Sequence, residues 1–305
     1  MAQRATISPD VIAGIEKILT NNEHPNFDIK KILINKGKKD LVIQVNKVTR
    51  KKTDKKYFVE EETKKQRIVL HYTMGQIAGD LSTLTGDKGM VSVSYVIGRN
   101  GMIYYLFNTQ LWSFHLGRDA IGGNTEQSSL TIGIELSNVG PLTKVGEEYF
   151  MRVKNDKGES KDLFYCTIEQ TNLYKVLEQP FKEAKVYATY PEAQYDALIR
   201  LLRYLTALWD IPRVFLPESD RFKVSQKVLN FKGIVSHVNY RPKDKSDIGP
   251  AFDWKKVIAG VTAETYVSTQ TADREFEQIE TVTSENDILS PKGAAQGEFT
   301  EPDED

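Results

Sequence analysis

The chain has 305 residues, 40% of them hydrophobic and 27% charged, enough for one large domain or two modest ones around a proper core. No apolar run approaches the roughly 20 residues that span a bilayer, and Met1–Asp10 lacks the apolar stretch of a secretory leader. Neither a transmembrane segment nor export through the general secretory route is therefore expected, and the single cysteine, Cys166, excludes an internal disulfide. The net charge of −1 hides an asymmetry: residues 261–305 hold 12 of the 42 acidic residues and two of the 41 basic ones, Arg274 and Lys292. Residues 1–260 are thus basic, by about nine charges, which suits either an anionic polymer or an ordinary solvated surface. No nucleic-acid-binding motif accompanies that charge, so no nucleic-acid partner is expected.

In chain order, Ser8-Pro9-Asp10 opens a helix whose Val11, Ile12, Ile15 and Ile18 recur at helical spacing. Two short apolar runs follow, at 32–34 and 41–45, and the lysine-rich residues 46–66 read as an exposed hairpin or loop. Residues 1–62 together form an α+β lead-in. Ile68-Val69-Leu70-His71 predicts a buried strand ending in a histidine. Residues 92–97 and 102–107 flank Asn100-Gly101, the turn signal of a β-hairpin. Between Leu130 and Asn138, Ile132, Ile134 and Leu136 alternate with Thr131, Gly133 and Glu135, a period of two that puts Glu135 on the face opposite the aliphatics. Residues 141–188 read as a polar, turn-rich insertion. Pro191–Trp209 carries Tyr195, Leu198, Leu202, Leu205 and Trp209 on one helical stripe. Residues 233–237 predict another short strand ending in a histidine, and a brief helix follows Trp254. The acidic residues 261–305 are expected to be disordered, or to order on a docking or delivery partner. The expected fold is α/β, a central mixed sheet flanked by helices, with the catalytic portion at 63–260.

Of the four histidines, His24 lies in a turn, whereas His71, His115 and His237 fall at or just beyond strand ends, where a sheet can hold side chains around an open site. Asp247 follows His237 by ten residues. Two imidazoles and a carboxylate suffice for a catalytic zinc with its fourth position left to water, although a histidine at a strand end is, taken singly, more often a polar core or surface group.

Five ordered motifs decide between these. Ile68-Val-Leu-His71-Tyr-Thr73, Ser94-Tyr-Val-Ile-Gly-Arg-Asn-Gly101, Trp112-Ser-Phe-His115-Leu-Gly117, Ile132-Gly-Ile-Glu135-Leu-Ser-Asn138 and Lys245-Ser-Asp247-Ile-Gly-Pro-Ala-Phe-Asp-Trp254 resemble, in that order, the zinc-dependent N-acetylmuramoyl-L-alanine amidases. That family includes phage lysozyme-type amidases, wall-recycling amidases and peptidoglycan recognition proteins. The resemblance covers about residues 66–258 and implies their fold. It also implies Zn2+ held by His71, His237 and Asp247, with Glu135 and Lys245 as catalytic residues. His115, with Tyr72, Thr73 and Trp112 of the same motifs, is implied to meet substrate. Departures are Ile248 where the family usually has proline, Ser94 where many members have histidine, and Val93 where some phage-type members place a catalytic tyrosine. Cys166 matches no ligand position.

The implied activity is hydrolysis of the amide between N-acetylmuramic acid and L-alanine in peptidoglycan or muropeptides. The alternative is a non-catalytic peptidoglycan-binding module. Synthesis in the cytoplasm without a leader leaves three settings: cytosolic recycling, a bacteriolytic phage endolysin released non-classically, or a delivered antibacterial effector. The lead-in, the insertion and the acidic tail point to docking or delivery.

Overall fold

A computed structural model describes residues 5–35, 41–52, 56–86, 89–154, 158–182, 184–241, 245–267 and 280–282. Helix α1 (Pro9–Thr20) begins with proline in its first turn, where the missing N–H costs nothing, and buries Ile12 and Leu19. Strands β1 (Phe27–Asn35) and β2 (Val42–Arg50) pair antiparallel from Phe27↔Arg50 to Asn35↔Val42. The lysine-rich stretch expected as a loop from residue 46 is strand as far as Arg50. Burial on both faces of β2 explains it: Ile43 and Val45 face one core cluster and Val48 the other.

These two strands join the same eight-stranded sheet as the strands that follow them, in the order β12-β3-β6-β4-β5-β2-β1-β13. Strands β3 (Arg67–Tyr72), β4 (Tyr95–Ile97) and β6 (Thr131–Leu136) run parallel, as does β12 (Gly233–Ser236) beside β3. Strand β5 (Ile103–Tyr105) closes the expected hairpin with β4. The alternation along β3 and β6 sorts side chains as read from sequence. Ile68, Leu70, Tyr72, Ile132, Ile134 and Leu136 meet α4 (Glu192–Trp209) and α6 (Trp254–Thr262) on one face. The other face carries α1 and a helix not expected, α2 (Ile77–Leu84), whose Ile77 and Leu81 pack on Val96 and Tyr104. The short helices α3 (Asn124–Ser129) and α5 (Glu218–Arg221) complete the helical set.

The segment read as a polar, turn-rich insertion is mostly strand. It folds as a five-stranded antiparallel sheet, β10-β11-β7-β8-β9, made of β7 (Pro141–Val145), β8 (Glu148–Lys154), β9 (Ser160–Thr167), β10 (Tyr174–Phe181) and β11 (Ala184–Ala188). Leu142, Tyr149, Met151, Tyr165 and Cys166 give it a core shared with Ile7 and Ile12. Within the tail expected to be disordered, Glu280–Val282 forms strand β13, parallel to β1. Residues 268–279 and 283–305 lie outside the described residues. Among the described residues, no helix is long and apolar enough to cross a membrane.

Candidate metal centre and active site

Parallel pairing brings the two distant histidines together. Ser236 of β12 is level with Leu70 of β3, so the next residue of each strand, His237 and His71, lies side by side at the carboxyl end of the sheet. His237 opens a 3-10 turn (His237–Asn239) held by reciprocal hydrogen bonds between Ser236 and Asn239. The backbone N–H of Val238 donates to the carbonyl of Asp247 at 2.7 Å, which folds the 245–250 loop back over the histidines. Among the described residues, His71, His237 and Asp247 are the one group of three or more metal-binding side chains whose donor atoms converge, and all three are buried.

Hydrogen bonds fix what those donor atoms are. The hydroxyl of Thr131 has one proton, with the carbonyls of Gln127 and Ser128 at 2.9 and 3.2 Å to receive it, so towards His115 its oxygen is free to accept. His115 therefore carries its proton on Nε2, 2.8 Å from Thr131 Oγ1, and presents the bare Nδ1 to His71 Nε2 at 2.9 Å. His71 donates from Nε2 and keeps a lone pair on Nδ1. His237 donates from Nε2 to the carbonyl of Leu116 at 3.0 Å, which leaves its Nδ1 likewise bare when the ring is neutral. Burial first, then the neighbouring His237, lowers the His71 pKa to about 4, so this ring is neutral at pH 7. Burial works against the charge of Asp247, but the two imidazoles, His237 foremost, outweigh it and hold the carboxyl far below the usual range.

With the His237 ring neutral as well, three electron-pair donors face one another. His71 Nδ1 and His237 Nδ1 are 2.9 Å apart, His237 Nδ1 and Asp247 Oδ2 2.9 Å, and His71 Nδ1 and Asp247 Oδ2 3.3 Å. A proton could relieve one of these pairs, whereas a cation satisfies all three. Tetrahedral zinc ligands with bonds of about 2.0–2.1 Å stand about 3.3 Å apart, the separation of His71 Nδ1 and Asp247 Oδ2; the two 2.9 Å pairs would open by a few tenths of an ångström to hold the ion. The neutral His–His–carboxylate donor set is also one that zinc accepts.

Glu135 is level with His71 across the β3–β6 ladder, on the same face. Its Oε2 is buried without a hydrogen-bond partner among the described residues. Burial, then the charges of Asp247 and Asp80, push its pKa well above the ordinary carboxylate value, while Lys245 opposes them. Lys245, half-buried two residues before Asp247, acts electrostatically on both Glu135 and His71.

The other residues named from sequence are placed as follows. His115 stands behind His71, 7% exposed, hydrogen-bonded to it rather than to the Asp247 loop. Gly133 makes its seat, because a Cβ there would lie 3.1 Å from the imidazole. Tyr72 points to the opposite face of the sheet from His71, and its hydroxyl hydrogen-bonds Ser246, next to Asp247. Thr73 donates to Asp80. Trp112 packs in a small cluster with Val59 and Phe114 and donates to Glu61 at 3.1 Å.

Sequence reading missed Asp80 and Thr131. Asp80 is buried on α2, accepts a 2.6 Å hydrogen bond from Ser137, and has its pKa raised to about 6, chiefly by burial. The spacing of Ile77, Leu81 and Leu84 would have revealed α2. Thr131 was visible as the residue that shares a strand face with Glu135.

Buried His, His and Asp donors at the carboxyl end of a mixed sheet, with a carboxylate alongside, define a candidate metallohydrolase centre. The chain belongs to the N-acetylmuramoyl-L-alanine amidase family, whose profile matches residues 61–250. It is similar to the N-acetylmuramoyl-L-alanine amidase AmiD of Escherichia coli K12, 27% identical over 197 residues, which are 62% of this chain and 51% of the relative. The chain thus spans about half the length of the curated relative it matches. Among solved structures, an AmpD derivative is similar at 17% identity and a TM-score of 0.41, over 69% of this chain and 93% of that one. The Escherichia coli AmiD complex with the substrate anhydro-N-acetylmuramic acid-L-Ala-D-gamma-Glu-L-Lys is similar at 22% identity and a TM-score of 0.40, over 75% and 65%.

Proposed function

We propose that this chain is a zinc-dependent peptidoglycan amidase that hydrolyses the amide between the lactyl group of N-acetylmuramic acid and L-alanine. The observation that carries this reading is the set of three lone-pair donors, on His71, His237 and Asp247, beside a glutamate with one unpartnered oxygen. His71, His237 and Asp247 would hold the zinc, His71 and His237 through Nδ1. When bound there, zinc supplies Lewis acidity, which brings a water towards ionisation at neutral pH and polarises the scissile carbonyl.

The rest belongs to the protein. Glu135 takes one proton from the attacking water as its oxygen bonds to the carbonyl carbon. The raised proton affinity of Glu135 suits it to hold that proton and deliver it to the alanine nitrogen as the carbon–nitrogen bond breaks. The second proton of the water also ends on that nitrogen, so the products are the lactyl carboxylate and the alanine ammonium. The Lys245 ammonium offsets negative charge on the carbonyl oxygen in the tetrahedral state. In this reading His115 orients His71.

The wall polymer is the proposed substrate, and the second sheet and the acidic tail favour wall degradation, as by an endolysin or a delivered effector, over recycling. Mass spectrometry of purified muropeptides tests the bond: intact glycan plus a stem peptide beginning at alanine is the expected product pair, lost in Glu135→Ala. Tight binding to sacculi with no product from a zinc-loaded protein would instead identify a non-catalytic wall-binding module.

A further inference from the structure

The loop that presents Asp247 is held on its inner side by the main core. Ile248 is fully buried among the core residues under α4, and Trp254 Nε1 donates to the carbonyl of Gly249 at 3.3 Å. Its outer side is met by the second sheet. The ring of Phe181, at the end of β10, lies against Gly249, so that a Cβ on that glycine would come within 2.6 Å of two ring carbons. Phe181 is fixed in turn: the hydroxyl of Tyr187 donates to its carbonyl, and its ring packs edge-on against Phe222 at 6.2 Å. Lys175 of β10 reaches the carbonyl of Pro250 at 3.4 Å. The backbone around Asp247 is therefore held between the main core, through Ile248 and Trp254 of α6, and the second sheet.

We propose that Phe181 is a positioning residue for the metal site, and that the second sheet serves as a clamp that sets zinc affinity through Gly249. A carboxylate on a loop loses conformational freedom when it binds a cation, and a loop already held in place has less to lose. Gly249 has an ordinary backbone conformation, and its lack of a side chain is what admits the ring. This inference rests on zinc occupying the His71–His237–Asp247 site.

The test is zinc affinity, measured by competition with a chromophoric chelator, together with the rate at which excess chelator strips the metal. Phe181→Ala is expected to bind zinc about tenfold more weakly than wild type and to release it faster, the scale seen when groups supporting metal ligands are removed. Phe181→Leu should fall between, and it supplies the comparison if the alanine variant does not fold. Val176→Ala, on the same strand but 51% exposed, should match wild type. Gly249→Ala should weaken zinc binding by pushing the ring away, so in the Phe181→Ala background the same change should add little. Zinc affinities of the Phe181 variants within twofold of wild type overturn the clamp, as do losses from Phe181→Ala and Gly249→Ala that multiply. A wild type that takes up no zinc removes the functional reading itself, an outcome distinct from either of these.

Discussion

His71 and His115 are joined ring to ring, Nε2 to Nδ1 at 2.9 Å, and the second imidazole ends on Thr131 at 2.8 Å. The direction of the protons along this chain is set at its far end, where the threonine hydroxyl is committed to the carbonyls of Gln127 and Ser128. His115→Ala removes the acceptor that keeps the His71 proton on Nε2 and is expected to weaken zinc binding 10- to 100-fold. Glutamine at 115, which offers an amide oxygen as acceptor, should recover part of the loss, and Thr131→Val should lose less than His115→Ala. Competition titration with zinc reads all three. Equal affinities across the set would detach His115 from the metal site.

Zinc stabilises whatever conformation binds it, in proportion to the logarithm of its concentration over Kd. At a free zinc concentration of one hundred times Kd the folded chain should gain about 2.7 kcal/mol, seen as a raised melting temperature. In Asp247→Ala the two imidazoles remain but the charge that draws the cation is gone. That variant should show neither the thermal shift nor stoichiometric zinc by elemental analysis, and chelator should silence the wild type reversibly. A full thermal shift in Asp247→Ala would place the metal elsewhere.

Glu135 differs from the ligands in what its loss should do. Glu135→Gln keeps the shape of the side chain and removes its ability to carry a proton, so kcat should fall by about 10²- to 10⁴-fold. Zinc content and KM should change little, since none of the three converging donors is altered. A variant that lost its zinc instead would make Glu135 part of the metal's coordination.

Much of this site was legible because the chemistry sits on strands with a simple period. The alternation through Ile132, Ile134 and Leu136 placed Glu135 on the face opposite the aliphatics, and the structure puts His71 level with it on that face. What was not legible came from pairing across long separations. The β12–β3 register puts His237 beside His71, and the sequence carries no local mark of that neighbour relation. The second sheet escaped notice for another reason. Its strands are half-exposed and interrupted by charged residues such as Arg152 and Asp162, which pair with each other across β8 and β9, so their burial alternates too weakly to stand out. Tyr72 takes the opposite face of β3 from His71, with its ring towards the helices and its hydroxyl on Ser246.

Asp80 makes a prediction about stability rather than turnover. Its carboxyl is buried, and its folded pKa of about 6 stands above the ordinary 3.8 mainly because burial penalises the charge, more than the hydroxyls of Ser137 and Thr73 compensate. A raised acid binds more protons folded than unfolded between those two values, so its contribution to stability is full below pH 3.8 and is lost as pH rises through 6. The loss amounts to about 3 kcal/mol for a shift of about two units. Asp80→Asn keeps an oxygen for the two hydroxyls and abolishes the titration. Relative to wild type, the variant should therefore be more favoured at pH 7 than at pH 4, by up to about 3 kcal/mol, as read from urea unfolding at both values. A difference between the two proteins that stayed constant with pH would mean that Asp80 ionises as freely in the folded chain as in the unfolded one. In that case the charge of Asp80 would act on Glu135, two residues before Ser137, without any burial cost to Asp80 itself.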